Sequence, residues 1–266
     1  MKKSKQFTMD IVVLTAGRVD LFEKCIDHIL PQLTPQRNLV IMNNGANTPE
    51  YAKVYSKIPD AYIKRSNANL GFAAGANMGI KGGDAPLVMF VTDDVFLNPD
   101  AIDVLERRMA DQSIGICGMK LLFPEGGDDS ARPSGKVQHI GMASNIRGEM
   151  IHPLIGWSPE NPKCCISQEV LAVTGAAFMI RRDVYRIVGG FDTVYGKGYY
   201  EDMDLCFACR AKAGKRVFID TDSVGVHGVA QTFKVSKEPA PNFQQNMNIF
   251  RSRWVSQTPW SEFNLW

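Results

Sequence analysis

Five consecutive apolar residues, Leu87-Val88-Met89-Phe90-Val91, run directly into Thr92-Asp93-Asp94. An apolar run of this length predicts a strand that is buried on both faces. Ligands of open α/β folds bind outside the carboxyl ends of such strands, so the carboxylates are expected at a binding edge. Mg²⁺ and Mn²⁺ prefer oxygen ligands and usually take one or two carboxylates, while substrate phosphates complete the shell. The stretch therefore predicts an α/β sheet with a metal–phosphate site at its rim.

Apolar runs alternate with helical patterns throughout the first half of the chain. Strands are predicted at 10–14, 39–42 and 61–64, and helices at 21–30, 49–57, 72–81 and 99–110. This β-α-β-α order predicts a mostly parallel sheet with helices on both faces. We expect residues of about 9–113 to form a nucleotide-binding half.

The pattern changes from about Ile114. A strand at 114–122 is followed by a stretch, 123–163, that is rich in Gly, Pro, Asp and Ser, and a loop of that length is usually functional or mobile. Later elements are predicted at 170–180 (a strand kinked at Gly175), 182–188 (helix), 202–213 (helix) and 216–219 (strand), with a last strand ending at His227. We expect an acceptor-binding and catalytic half at about 114–230 on the same sheet.

Composition places the chain among ordinary globular proteins, with 266 residues, 45% hydrophobic and 22% charged. The chain has 30 Lys and Arg residues against 28 Asp and Glu residues. This balance gives little reason to expect a basic surface that binds polyanions. The apolar stretch Ile11–Leu14 is too short for a signal-peptide core or a membrane span, so a cytoplasmic protein, or one at the cytoplasmic face of a membrane, is expected. Cys206 and Cys209 lie in a predicted helix without a second such pair, which favours core packing over a zinc site.

Three further features bear on function. Tyr200-Glu201-Asp202-Met203-Asp204 offers a carboxylate base, although acids at a helix N-terminus are also favoured by about 0.3–1 kcal/mol. Gly71, Gly75 and Gly79 give a helix one bare face, suited either to close packing or to a nucleotide. The extension 231–266 is polar and then aromatic, which indicates a docking or interface element and makes a homodimer one expectation. The aromatic residues that carry this prediction are Trp254, Trp260, Phe263 and Trp266.

An ordered series of motifs runs through the chain. Its members are Asn69-Leu70-Gly71-Phe72 with Gly75 and Asn77, Thr92-Asp93-Asp94-Val95 with Asn98-Pro99-Asp100, Gly175-Ala176, Gly189-Gly190-Phe191-Asp192, Glu201-Asp202-Met203-Asp204-Leu205-Cys206 and His227. In this order they resemble the motifs of glycosyltransferase family 2 over about residues 9–230. The family has the GT-A fold and includes rhamnosyltransferase-like enzymes. The resemblance implies one GT-A domain over 1–265, a Rossmann-like, mostly parallel sheet flanked by helices with a smaller acceptor-binding region.

The resemblance also implies an inverting, metal-dependent transfer of a sugar from a nucleotide-diphosphate donor to an acceptor hydroxyl. Thr92-Asp93-Asp94 matches the family's DXD position, with Thr in place of the first Asp. Asp94 would ligate Mn²⁺ or Mg²⁺, and His227 would complete the metal site. Asp202 or Glu201 would be the general base, with Asp202 preferred.

The same resemblance implies a set of nucleotide-sugar contacts. They are Thr15, Ala16, Gly17, Arg18, Asn43, Asn44, Arg65, Asn69, Gly71, Asn77, Thr92 and Asp93. The sequence departs from the family at two of these, with Gly17 where Asn is usual and Asn43 where Asp is usual. An amide offers a donor as well as an acceptor, so the nucleobase is left open.

The acceptor is the least constrained partner. A glycan or lipid-linked saccharide is the family's commonest case, and a modified nucleic-acid base or a protein side chain remains open because the segment 123–163 is where acceptor choice should lie. One alternative is a nucleotidyltransferase of similar fold, which would carry a Gly-rich, basic signature after the first strand. The other is a non-catalytic module that binds sugar nucleotides or glycans. A retained Asp94, Asp202 and His227 argue against the second.

Overall fold

The protein is described here from a computed structural model that covers residues 7–46, 48–126, 128–129, 132–144, 150–228 and 243–254. Its strands are β1 (Met9–Thr15), β2 (Arg37–Asn44), β3 (Tyr62–Ser66), β4 (Leu87–Thr92), β5 (Val95–Leu97), β6 (Ile114–Leu122), β7 (Asp128–Asp129), β8 (Arg132–Pro133), β9 (Val137–His139), β10 (Ala143–Ser144), β11 (Met150–Ile151), β12 (Gln168–Glu169), β13 (Ala177–Arg181) and β14 (Arg216–His227). Its α-helices are α1 (Val19–Ile29), α2 (Tyr51–Ser56), α3 (Phe72–Gly79), α4 (Ala101–Arg108), α5 (Arg182–Val188), α6 (Glu201–Ala213) and α7 (Phe243–Trp254). Short 3-10 helices lie at Leu30–Gln32, Ile80–Gly82, Pro162–Cys165 and Thr193–Tyr195.

A 10-stranded sheet with the order β12-β14-β6-β13-β4-β1-β2-β3 organises the chain, with β5 added to β14 and β9 added to β6. Strands β3, β2, β1 and β4 are parallel, and β14 is parallel to β6. Strand β13 is inserted antiparallel between β4 and β6. The carboxyl ends of β1, β2, β4, β6 and β14 therefore meet at one edge, together with the residues that lead into β13.

Both faces of this sheet are covered, which explains why its central strands read as continuous apolar runs. Every residue of β1 is buried, and because alternate side chains point to opposite faces, Val12 and Leu14 join one hydrophobic layer while Ile11 and Val13 join the other. Among the described helices, none combines the length and apolar character that a bilayer crossing needs.

The glycine face of α3 is used for packing against the sheet. A Cβ atom at Gly79 would come within 2.7 Å of Val12, and one at Gly75 within 2.9 Å of the Asn44 amide. Gly71 has a φ of 84° and leaves no space for a side chain against the carbonyl of Gly196. The close approach that the spacing predicted is therefore made by the protein's own backbone and side chains.

The predicted strand at 170–180 is wrong over its first part, since β13 begins only at Ala177. Val170 N–H and Leu171 N–H still donate to backbone oxygens, those of Val217 and Met142. Further along, side chains accept instead: Thr174 N–H donates to His139, and Gly175 N–H donates to Asp202. The segment leaves the sheet because it is held by groups distant in sequence.

The structure also shows where Cys206, Cys209 and Trp254 lie. Cys206 and Cys209 are buried in α6, as core packing requires. Trp254 docks onto this chain itself, where its indole N–H donates to Asp204 at 2.8 Å and its ring contacts Phe207. The other three aromatic residues on which the prediction rested, Trp260, Phe263 and Trp266, lie outside the described residues.

Candidate active site

A cavity of about 650 Å³ opens at the edge where the parallel strands end. The ends of β1, β2, β4 and β14, the residues before β13 and the first turn of α6 all contribute to its wall. Ten of the residues predicted from the sequence line it: Thr15, Ala16, Asn44, Asn69, Thr92, Asp93, Asp94, Glu201, Asp202 and His227. The fold thus brings the predicted metal ligands and the predicted bases to one space.

Several predicted nucleotide contacts lie off this wall and are used by the protein itself. The Asn43 amide donates to Ala46 O and the Tyr55 hydroxyl, and its oxygen accepts from Ala46 N–H at 2.9 Å. Asn77 accepts from the Tyr185 hydroxyl and from Phe191 N–H, and donates to Phe191 O at 2.8 Å. Both amides therefore connect segments of the fold.

The remaining predicted contacts lie at the rim or further out. Gly17 N–H donates to the Tyr51 hydroxyl at 3.1 Å, and Arg18 makes a two-point ion pair with Asp20. Arg65 is exposed and stacks over the Tyr55 ring at 4.9 Å. Together with Gly71, these residues stay predictions as nucleotide contacts.

The acidic pair after β4 has two different environments. Asp93 accepts from Ala16 N–H at 3.2 Å, which ties the end of β1 to the end of β4. Burial, and then the nearby charge of Asp94, raise the pKa of Asp93 to about 7. Burial opposes ionisation of Asp94 as well, but the His227 ring and the Thr92 hydroxyl, which donates at 2.8 Å, outweigh it and lower the pKa of Asp94. Asp94 is therefore the carboxylate that stays ionised.

His227 reaches Asp94 through the pairing of β14 with β5, in which His227 lies opposite Val95. Its Nε2 lies 3.4 Å from Asp94 Oδ1. Gln138 holds the same histidine through two hydrogen bonds. Its amide N–H donates to His227 O at 2.9 Å, and its amide oxygen lies 2.6 Å from His227 Nδ1. Because that oxygen can only accept, Nδ1 carries a proton, and Nε2 is the ring nitrogen that faces Asp94.

Glu201 and Asp202 begin α6 after a strained turn. Tyr199 and Tyr200 have φ values of 71° and 78°, which non-glycine residues rarely adopt away from functional sites. Asp202 accepts one backbone N–H on each oxygen, from Gly175 and from Met203, both at 2.8 Å. This two-point hold fixes the carboxylate plane at the cavity wall.

Glu201 differs from its neighbour in its hydrogen bonding. Its Oε2 is buried and finds no hydrogen-bond partner among the described residues, although Glu201 lines the cavity. Burial, and then the Asp202 charge, raise the pKa of Glu201 to about 8, and burial also raises the pKa of Asp202. A ligand atom is the natural partner for an orphaned carboxyl oxygen of this kind.

Sequence reasoning missed several residues of the wall. Gln138 and His152 lie in the long segment 123–163, and Thr174 lies in a stretch predicted only as a strand, so no local signal identified them as wall residues. Lys197 also lines the cavity, with its ammonium donating to Asn69 O at 3.1 Å.

Relatives of the chain were found by sequence. It is 28% identical over 254 residues to the O-antigen biosynthesis protein RfbC of Myxococcus xanthus, covering 91% of this chain but 19% of that protein. It is 29% identical over 191 residues to an N-acetylglucosaminyl-diphospho-decaprenol L-rhamnosyltransferase of Mycobacterium tuberculosis, covering 63% of this chain and 59% of that enzyme. The chain thus spans only part of the length of these relatives.

Solved structures share the fold. A crystal structure of GalNAc-T7 with UDP, GalNAc and Mn²⁺ matches with a TM-score of 0.68 at 14% identity, covering 97% of this chain and 52% of that one. The mannosyltransferase PcManGT from Pyrobaculum calidifontis, in complex with GDP-Man and Mn²⁺, matches with a TM-score of 0.58 at 13% identity, covering 95% of this chain and 71% of that one. The chain has the GT-A fold of these glycosyltransferases. The model of glycosyl transferase family 2 matches residues 10–188, and the chain belongs to that family.

Proposed function

We propose that this glycosyltransferase is an inverting, metal-dependent enzyme that moves one sugar from a nucleotide-diphosphate donor to an acceptor hydroxyl. The observation that carries the proposal is the meeting of Asp94, His227 and Asp202 around one cavity at the carboxyl edge of the sheet. A metal-ligand pair and a base are the two devices that such a transfer requires.

The donor set fits a divalent cation. Asp94 Oδ1 and His227 Nε2 lie 3.4 Å apart, so both can bind one ion at ligand distances of about 2.1 Å. Among the described residues no three His, Cys, Asp or Glu side chains group into a metal site. The remaining ligands of the proposed ion would therefore have to come from substrate phosphates or water. A nitrogen ligand favours Mn²⁺ over Mg²⁺ weakly. When bound, the cation would neutralise the charge of the departing diphosphate.

Asp202 is the proposed base. The N–H groups of Gly175 and Met203 orient its carboxylate, and each oxygen keeps a lone pair that can take the acceptor's proton. An inverting transfer needs one such carboxylate, on the face of the sugar opposite the leaving group. Asp93, whose pKa lies near neutrality, holds Ala16 and is assigned to the nucleotide side.

The partners are proposed from the relatives. One neighbour is described with UDP and the other with GDP-Man, so the nucleobase stays open here. The rhamnosyltransferase relative carries N-acetylglucosaminyl-diphospho-decaprenol in its name, which supports a glycan or lipid-linked saccharide as acceptor. A cytoplasmic location and a homodimer are kept as proposals.

The test incubates the purified protein with a panel of nucleotide sugars and Mn²⁺, and follows thermal stabilisation and release of nucleoside diphosphate. We expect one donor to stabilise the protein and to be slowly hydrolysed, with both effects lost on adding a chelator. Asp202→Asn should keep the stabilisation and lose the release, whereas the exposed Asp27→Asn should change neither. Absence of stabilisation by every donor would contradict a nucleotide-sugar site, and full release by Asp202→Asn would remove that residue as base.

A further inference from the structure

Two histidines of the long segment after β6 meet at the cavity wall. His139 ends β9 and is 1% exposed, whereas His152 follows β11, is exposed and lines the cavity. Their Nδ1 atoms lie 3.0 Å apart, and the rings stand nearly edge to face with centroids 5.1 Å apart. The mechanism proposed above uses neither residue.

The hydrogen bonds of His139 determine where its proton lies. Its Nε2 receives the backbone N–H of Gly141 and that of Thr174, each at 3.2 Å. A backbone N–H can only donate, so this nitrogen carries no proton and Nδ1 carries it instead. Burial lowers the pKa of His139 well below its usual value, which keeps the ring neutral.

His152 must then accept at the shared contact. Its Nδ1 receives the proton of His139 Nδ1, so its own proton lies on Nε2. Protonating His152 on Nδ1 would set two N–H groups against each other across 3.0 Å. The pair therefore keeps His152 neutral and leaves its Nε2–H as a donor with no described partner.

The surroundings of His152 indicate what this donor can bind. Met142, Met150 and Ile155 line the same cavity and offer apolar surface. Thr174, which holds His139, is followed by Gly175, which holds Asp202, so the histidine pair and the proposed base are anchored on adjacent residues. The described titratable or charged residues that share the wall are Asp93, Asp94, Lys197, Tyr199, Tyr200, Glu201, Asp202 and His227.

We propose that His152 binds an uncharged saccharide, donating Nε2–H to a sugar oxygen on the acceptor side of Asp202, and that His139 is the positioning residue that fixes this donor. Apolar side chains pack against the C–H faces of a sugar while a neutral N–H pairs with a hydroxyl or ring oxygen. A neutral imidazole adds no attraction for an anion, and the nearby carboxylates disfavour one. The inference rests on the proposed glycosyl transfer.

The test uses ¹⁵N-histidine NMR on the full protein, which reports the tautomer of each ring directly. We expect the Nδ1–H form for His139, the Nε2–H form for His152 and no charging of either ring between pH 6 and pH 8, a window chosen to span the usual histidine pKa of about 6.5. Neutral methyl glycosides, added with nucleoside diphosphate and Mn²⁺, should shift the His152 Nε2 resonance more than methyl glucuronide does. A His152 ring that charges with an ordinary pKa, or one that no neutral glycoside shifts, would overturn the proposal.

Variants separate this inference from the proposed function. His152→Phe should keep stabilisation by the nucleotide sugar and weaken glycoside binding by about 2- to 12-fold, the value of one neutral hydrogen bond. His139→Ala should restore ordinary titration to His152, while His28→Gln, which changes the distant histidine bonded to Leu97 O, should change neither readout. Since His139 is buried and its loss threatens folding, the wild-type spectra and His152→Phe suffice alone. Donor stabilisation without any His152 effect refutes the inference only, whereas loss of donor binding in the wild type refutes the proposed function.

Discussion

Replacing Gln138 with Leu should weaken metal binding without changing any proposed metal ligand. The substitution removes two hydrogen bonds to His227, at 2.6 and 2.9 Å. Without an acceptor at Nδ1, the His227 ring is free to rotate or to move its proton to Nε2, and a protonated Nε2 cannot ligate a cation.

The magnitude follows from those two contacts. At about 0.5–1.5 kcal/mol for each hydrogen bond, their loss amounts to about 1–3 kcal/mol, or about 5- to 150-fold in affinity at 1.4 kcal/mol per decade. Loss of a partner that orients a metal-bound histidine costs about 10- to 100-fold, which lies inside that range. We expect Mn²⁺ affinity to fall by an amount within these limits.

The assay titrates Mn²⁺ into protein saturated with nucleoside diphosphate and follows free Mn²⁺ by electron paramagnetic resonance. Gln112→Leu is the matched control, because Gln112 is exposed and its amide reaches only Ala110 O, at 3.4 Å. Unchanged Mn²⁺ affinity in a folded Gln138→Leu protein would refute the argument that this amide sets the histidine tautomer. If the wild type binds no Mn²⁺, the metal site itself is refuted.

Three further predictions follow from the same geometry. Asp94→Asn should abolish the Mn²⁺-dependent part of donor stabilisation in a thermal shift assay, and stabilisation equal to wild type would exclude Asp94 as a ligand. Asn77→Ala should lower the free energy of unfolding in urea by about 1–3 kcal/mol, because it leaves the backbone N–H and C=O of Phe191 without their hydrogen-bond partner. The affinity for the donor should stay unchanged. Weaker donor binding in the folded variant would restore the nucleotide role predicted from the sequence. The pKa of Glu201 in the folded protein is raised from its usual 4.5 to about 8, so the stability that Glu201 contributes is full below about pH 4.5 and is lost as the pH rises towards 8. Glu201→Gln should therefore flatten the fall of the free energy of unfolding with pH across this window. An unaltered slope in unfolding measurements would contradict the raised pKa.

Much of the nucleotide half was predictable from local pattern. A continuous apolar run such as Leu87–Val91 has to be buried on both faces, and alternation with amphipathic helices permits few topologies other than a parallel sheet. The polar residues at or just after the ends of β1, β2 and β4 therefore had to gather at one edge, and Thr15, Asn44 and Asp94 all line the cavity there.

The hydrogen-bond partners of the side chains in those motifs were not predictable in the same way. The amides of Asn43 and Asn77 sit in positions typical of ligand contacts, but their hydrogen bonds go to Tyr55 and Phe191. An amide serves a turn and a ligand equally well, since both need one donor and one acceptor. Only the distances to neighbours decide between these uses.

The sequence by itself determined the α/β layering, the succession of strands and helices along the nucleotide half and the pair of carboxylates at the sheet edge, because burial and periodicity act over a few residues. The family resemblance named His227, but only the tertiary structure decided how that histidine reaches Asp94 and which other distant groups complete the site. His227 meets Asp94 because β14 pairs with β5, Gln138 meets His227 across 89 residues, and His139 meets Thr174 across 35. Contacts at such separations depend on strand pairing and on the closing of loops, and no local pattern along the chain records them.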